Sequence, residues 1–367
     1  MAEAIESGEL SGGGRFSALC AARLRERLGS PLVLMTPSCA TALELAVALA
    51  ELGPGDEAVV PSFNHPAAAV AVAKAGAVPV FADIAPDTLG LDPAAAAAAV
   101  TPSTRAVLPT HYAGVACGMA ALVRLADRHG LAVIEDAAHG LYADLDGRPL
   151  GSLGDAGCFS FDRVKNVSSG EGGALAVNRD DWVARAEALG ERGTNRAAFE
   201  RGEVSEYSWV DLGAAAVPGE LTAAYLWAQL EVAEEIRAER LAVWGMYHER
   251  LAAAEARGVL MRPSVPAGRR HDAHIYYVLM PDRRERDRAI ARLADAGVQA
   301  AFHFVPLHSS PAGRRFGRTH GPLEVTDDVA ARLLRLPMWP GLSERDVDRA
   351  VAALAGAARP RAGAARA

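Results

Sequence analysis

Between Pro31 and Asp136 the chain repeats one pattern: a short apolar run, a turn, then a helical stretch. The runs are too short for buried helices and are apolar on both faces. They therefore read as strands covered on both sides, with the helices as crossovers between parallel neighbours. Strands are expected at 31–36, 58–62, 77–84, 105–112 and 131–136, and helices at 39–52, 66–75, 93–100 and 119–129. The runs 156–161 and 172–177 look like the strands that finish the sheet. The fold class is α/β, built on a large, mostly parallel sheet.

A helix is expected from Ser17 to Leu28, and a long one from about Leu221 to Ala256, stopped by Gly258. Beyond it, a strand at 274–280, a helix at 283–297, a strand at 298–304 and a helix from Glu344 to Ala357 suggest a smaller α+β domain. The division is a Gly-rich arm at 1–15, a large domain at 16–235, a small domain at 236–358 and a disordered tail at 359–367. A length of 367 residues suits one large and one smaller domain.

The net charge of −7 and the lack of a concentrated basic face argue against nucleic acid as a partner. No uncharged apolar run is long enough for a membrane span, and no signal peptide is visible. Cys20, Cys39, Cys117 and Cys158 are far apart and form no metal-binding spacing, which favours a reducing, cytoplasmic setting without disulfides or a metal.

In an open parallel sheet, ligands sit beyond the carboxyl ends of the strands. Ser38 follows the first strand; it is either a plain N-cap or part of an anion site at a helix start. Asn64 and His65 follow the second, as turn residues or as groups facing an aromatic ligand. Asp136 closes the "LAVIED" strand, either as a cap or as a carboxylate that needs a cation, and His139 follows it. Of the 38 Lys and Arg residues, only Lys74 and Lys165 are lysines. Lys74 is explained as a cation at a helix C-terminus. Lys165 lies in "CFSFDRVKNVSSGEGGA", where a surface charge would be expected as arginine; a retained lysine suggests an amine that must lose its proton. A strand-end acid, a helix-start anion site and one lysine make the constellation that holds pyridoxal 5′-phosphate. No GxGxxG in the right register, Walker A loop, GxSxG elbow or HExxH competes with it.

At "EDAAHG", "CFSFDRVKNVSSGEGGA" and "HYAGVACGM" the chain resembles the DegT/DnrJ/StrS family of sugar-nucleotide aminotransferases, from Glu6 to about Ala355. "TPSC", "ERGTNR", "AAYLWAQL" and "PLHSSPAG" look closest to the branch that makes TDP-4-amino-4,6-dideoxyhexoses. The resemblance implies fold type I, the aspartate-aminotransferase fold, in a homodimer with shared active sites. It also implies a nucleotide-sugar substrate with L-glutamate as amino donor, for polysaccharide or antibiotic sugars. Lys165 matches the Schiff-base lysine, Asp136 the partner of the pyridine nitrogen, and Ser160 a phosphate-binding serine. Ser38, Cys39 and Ala40 match the phosphate cup; His65 matches a group stacked on the ring, and His139 one near its oxygen. Asn195 falls in a segment used near the cofactor and His308 in one used near the substrate.

Three departures stand out. Ala40 replaces a usual Thr, with Thr41 beside it; Asp162 replaces a usual His; and "GAAAVPGEL" (213–221) replaces a more polar segment. The chain also begins later than the resemblance leads one to expect, with a shortened arm or a misassigned start as the two readings. The alternatives are a catalytically weak homologue kept as a binding partner, or a transaminase acting at another position or on another keto-sugar or cyclitol. A dehydratase ranks low, because those relatives carry His in place of the lysine.

Overall fold

The computed structural model describes residues 1–355. Its centre is an eight-stranded sheet. Across the sheet the order is Leu32–Thr36, Gly173–Val177, Ala156–Ser160, Ala132–Asp136, Thr104–Val107, Glu57–Pro61, Val78–Ala82 and Arg318–Thr319. The pairs on either side of Gly173–Val177 are antiparallel and the rest are parallel. All seven strands expected for this domain form. The run expected as strand to residue 112 leaves the sheet after Val107 and ends in a turn in which Ala113 adopts a positive φ of 57°.

Helices cover both faces. Cys39–Leu49 buries Ala42, Leu43 and Ala46 completely against the sheet, and the two alanines let the helix lie close to it. Met119–His129 stops at Gly130, which takes a left-handed φ of 63°. The N-terminus of Arg15–Leu28 is satisfied from far along the chain. Buried Glu220 accepts hydrogen bonds from the backbone N–H groups of Gly14, Phe16 and Ser17 at 2.7–3.1 Å. A carboxylate at a helix N-terminus answers both its orphan donors and its dipole.

Several expectations need correction. The long helix is three, Glu220–Glu231, Ala233–Arg250 and Ala252–Ala256. Val232 breaks it with non-helical dihedrals (φ −111°, ψ 16°), and the chain there turns towards a second unit. The expected arm contains a helix, Ala2–Ser7, whose Ala4 packs on Ala223 and Ala224. Of the strand expected at 298–304, only Ala301–Phe302 pairs.

The second unit is an antiparallel sheet in the order Tyr276–Leu279, Leu333–Leu336, Ala301–Phe302. Ala233–Arg250, Arg283–Asp295 and Glu344–Ala355 pack over its own core, which includes Tyr247, Leu293, Leu334 and Val347. This unit is not one continuous stretch, because Arg318–Thr319 returns to the edge of the large sheet beside Val78–Ala82. The expected tail at 359–367 lies outside the described residues. No helix among the described residues is long and apolar enough to cross a membrane.

Candidate active site

A cavity of about 410 Å³ opens where the strand ends of the large sheet meet the second unit. Asp136, at the end of Ala132–Asp136, is almost fully buried there. Its Oδ2 lies 3.4 Å from both Asn64 Nδ2 and Thr110 Oγ1, and its Oδ1 accepts from the Ala138 N–H at 3.2 Å. Asp136 makes no ion pair among the described residues: three neutral donors orient the carboxylate.

Lys165 lies on the loop that leaves Ala156–Ser160. Asp162 shapes this loop: its carbonyl accepts from the Lys165 N–H at 2.9 Å and its Oδ1 from the Val164 N–H at 3.0 Å. That gives Asp162 a local structural role. Its charge, like that of Asp136, also bears on the amine. Burial pushes the Lys165 amine down from its usual range, and the nearby Cys39, Asp136 and Asp162 only partly oppose this. By contrast, Lys74 makes an exposed ion pair with Glu44 at 2.7 Å.

The Lys165 shift has a consequence for stability. A lysine whose folded pKa is depressed contributes stability that is fully present above its unfolded value near 10.5 and is lost as pH falls through the folded value. At lower pH the fold must bury a charge. The Lys165→Met apoprotein is therefore expected to melt above the wild type, with a gap that widens as pH falls. Melting curves between pH 6 and 10.5 check this; a gap independent of pH contradicts it.

Ser38 caps Cys39–Leu49, its Oγ accepting from the Thr41 N–H at 3.1 Å. Ser38, Cys39, Ala40 and Ser160 all line the cavity. Thr41 does not replace the hydroxyl missing at Ala40: its Oγ1 lies 3.1 Å from Ser38 Oγ, so it is part of the cap. The helix start is pressed against the strand Gly173–Val177. A Cβ on Gly173 would meet the Ser38 carbonyl carbon and come within 2.5 Å of the Cys39 nitrogen. Gly173→Ala is expected to destabilise the protein by about 1–3 kcal/mol and to lower its cofactor occupancy, read from urea unfolding and absorbance.

His65 and His139 border the same cavity. The His139 ring lies 4.3 Å from that of His274, and its Nδ1 accepts from the Ala113 N–H at 3.3 Å. Burial holds His139 well below the usual histidine range, so its ring is neutral. Behind Asp136, fully buried Glu135 meets His111 at 2.8 Å and accepts from the N–H groups of Gly151, Leu153 and Gly154. The His111 N–H in turn donates to the Asp136 carbonyl at 3.1 Å, so this pair braces the strand end.

Two expected site residues are not brought to this cavity. Asn195 clamps its own loop, accepting from the Ser208 N–H at 2.7 Å and donating to the Glu206 carbonyl at 3.0 Å. His308 is paired with Ser62 Oγ at 2.8 Å and faces Asp327 at 3.5 Å. Thr110, His274, His303 and Arg335 line the cavity without having been singled out in the sequence. Thr110 sits at a strand end and was open to the same reasoning as Asn64. The other three come from the second unit and carry no local signal.

The residues present fit pyridoxal phosphate. Lys165 offers an amine that burial keeps easy to deprotonate, Asp136 a carboxylate without a cation, and the Ser38 helix start free N–H groups beside the Ser160 hydroxyl. The fold and this constellation define a pyridoxal-phosphate-dependent aminotransferase of fold type I. The model of the DegT/DnrJ/EryC1/StrS aminotransferase family matches residues 1–355, and the chain belongs to that family. It is 33% identical over 363 residues to the spore coat polysaccharide biosynthesis protein SpsC of Bacillus subtilis, covering 96% of this chain and 92% of that one. It is 34% identical over 354 residues to the GDP-perosamine synthase of Caulobacter vibrioides, with the same coverage. The solved structure of the aminotransferase TlmJ from Streptoalloteichus hindustanus superimposes with a TM-score of 0.88 at 31% identity, covering 97% of this chain and 93% of that chain.

Proposed function

We propose that the protein aminates a nucleotide-linked 4-oxo-6-deoxyhexose, TDP-4-oxo-6-deoxy-D-glucose, with L-glutamate as donor. The products are a TDP-4-amino-4,6-dideoxyhexose and 2-oxoglutarate. The observation that carries this reading is that Lys165 and Asp136 face one cavity and that neither makes an ion pair among the described residues. The names of two relatives, a polysaccharide biosynthesis protein and a GDP-perosamine synthase, support a sugar nucleotide as substrate.

Bound in this cavity, pyridoxal phosphate supplies an aldehyde that condenses with amines and a ring that accepts electrons from the carbon being deprotonated. The chain's residues do the rest. Lys165 Nζ would hold the cofactor and, once free, would take the proton from the donor's α-carbon. In the second half-reaction it delivers a proton to C4 of the sugar. Taking a proton needs a neutral amine at working pH, which burial favours, and the ammonium formed in that step is the form that delivers one. Asp136 keeps the ring nitrogen protonated. Ser38, Ser160 and the N–H groups from Cys39 and Ala40 would hold the phosphate, His65 would face the ring, and His139, neutral, would serve the ring oxygen.

The protein works as a homodimer in the cytoplasm on this reading. Trp209 and Leu212 are about three-quarters exposed, and Tyr207, Phe199 and Tyr225 are exposed as well, which leaves apolar area for a second copy to cover. The four cysteines are free, in keeping with a reducing compartment.

The test is turnover with L-glutamate and either the TDP-linked or the corresponding GDP-linked 4-oxo-6-deoxyhexose, with NMR of the product. Faster turnover of the TDP sugar is expected. Preference for the GDP sugar would refute the nucleotide assignment, and turnover of neither would refute the sugar reading.

A further inference from the structure

Asp162 stands three residues before Lys165 and lines the same cavity. Its backbone is pinned from both sides. It pairs with Gly170 across the loop, and the Phe161 and Arg163 N–H groups donate to the Gly172 and Gly170 carbonyls at 2.8 and 2.9 Å. The Lys165 N–H donates to the Asp162 carbonyl at 2.9 Å, so both side chains leave one tight turn. Asp162 Oδ1 accepts from the Val164 N–H at 3.0 Å. Among the described residues its Oδ2 accepts no hydrogen bond, and the carboxylate makes no ion pair.

The other groups around the amine are neutral, committed or distant. Asp136 has both oxygens engaged, by Asn64, Thr110 and the Ala138 N–H. Cys39 could favour an ammonium only as a thiolate, and burial pushes its pKa up so that it stays a thiol. Burial lowers His65, His139, His274 and His303, which leaves four neutral rings. Glu171 and Arg163, on the same loop, are exposed to water. Arg335 enters from the second unit with the same sign of charge as an ammonium. Asp272 lies behind the loop, its carbonyl bonded to the Asn166 amide, and acts on the amine more weakly than Asp162 does.

We propose that Asp162 is the counter-ion that steadies the Lys165 ammonium when the amine takes the donor's α-proton. This rests on the transaminase reading above. In that step the α C–H bond breaks, its electron pair stays with the carbon and is drawn towards the cofactor ring, and the proton forms an N–H bond on Nζ. A cation then appears in a site whose burial disfavours it. A fixed carboxylate with a free oxygen offsets that charge without rearranging. Burial keeps the resting amine neutral, and Asp162 keeps the ammonium within reach, so the two together bring proton transfer close to balance. Asp162 acts through Lys165 and is a positioning residue.

The experiment exploits the scarcity of lysine. Labelled with ¹³C-lysine, the apoprotein gives side-chain signals from Lys74 and Lys165 alone. The Lys165 Cε signal is titrated by NMR in wild type, Asp162→Asn and Asp162→Glu. Asp162→Asn keeps an oxygen for the Val164 N–H and removes the charge. Its Lys165 midpoint is expected to fall by ~1 pH unit, the lower end for losing a nearby opposite charge. Lys74 should not move, which also reports an intact fold, and Asp162→Glu should recover part of the shift. An unchanged Lys165 midpoint in Asp162→Asn overturns the proposal. The cofactor-loaded proteins are then mixed with L-glutamate and with its α-deuterated form. Loss of the visible band should slow by ~10-fold in Asp162→Asn, the factor that one pH unit represents, with a larger isotope effect than in wild type. Equal rates and isotope effects overturn the role in proton transfer. A midpoint that shifts while wild type does not react with glutamate would refute the transaminase reading and leave the charge pairing standing.

Discussion

Lys165→Ala is expected to abolish the visible band of bound cofactor and to lower transamination by ~10⁴-fold, the upper range for removing a positioned proton-transfer group. Among the described residues no second lysine stands near the cavity, since Lys74 is on the far side of Cys39–Leu49 in an ion pair with Glu44. The histidines bordering Lys165 cannot form the same covalent link, and burial has already lowered their basicity. Because the loop is held through backbone contacts to Asp162 and the Asn166 amide bonded to the Asp272 carbonyl, the variant should fold. Absorbance, circular dichroism and turnover on one preparation separate lost chemistry from lost structure. Substantial residual turnover in a folded variant contradicts the role given to Lys165.

The second large effect is expected at Asp136. Asp136→Asn keeps the size of the side chain but removes the only charge that can hold a proton on the ring nitrogen. Activity should fall by ~10²–10³-fold, the scale of losing one preorganised electrostatic contact. The fold should tolerate the change at the cost of one contact: the amide oxygen can still accept from Asn64 and Thr110, while the amide NH2 then faces the Ala138 N–H. A cofactor absorbance that shifts while the melting temperature holds would locate the effect at the ring. Equal activity in Asp136→Asn would show that the carboxylate has another purpose.

The large sheet was legible because its signals are local. Apolar runs bounded by turns predicted seven of its strands, and left-handed glycines such as Gly130 marked helix ends. Lys165 stood out because arginine supplies nearly every other cation. What stayed hidden depends on distant partners. Nothing near Glu220 shows that it will cap a helix some 200 residues earlier, at Gly14 to Ser17. Thr41 stands next to Ala40 in the sequence, but its hydroxyl is engaged with the Ser38 cap. Asn195 and His308 carry suggestive motifs, yet each is used up by its own surroundings. Arg335, His274 and His303 are chosen by how the second unit folds back over the strand ends, which periodicity cannot read.

The central claim is that nitrogen passes from glutamate to a sugar carbon through Lys165 and its cofactor. It is tested most directly by incubating the protein with pyridoxal phosphate, ¹⁵N-labelled L-glutamate and TDP-4-oxo-6-deoxy-D-glucose, then recording NMR of the product. The expected result is ¹⁵N bonded to C4 of a TDP-linked 4,6-dideoxyhexose, with one 2-oxoglutarate formed for each. A sugar that stays unlabelled while glutamate is recovered intact would contradict it.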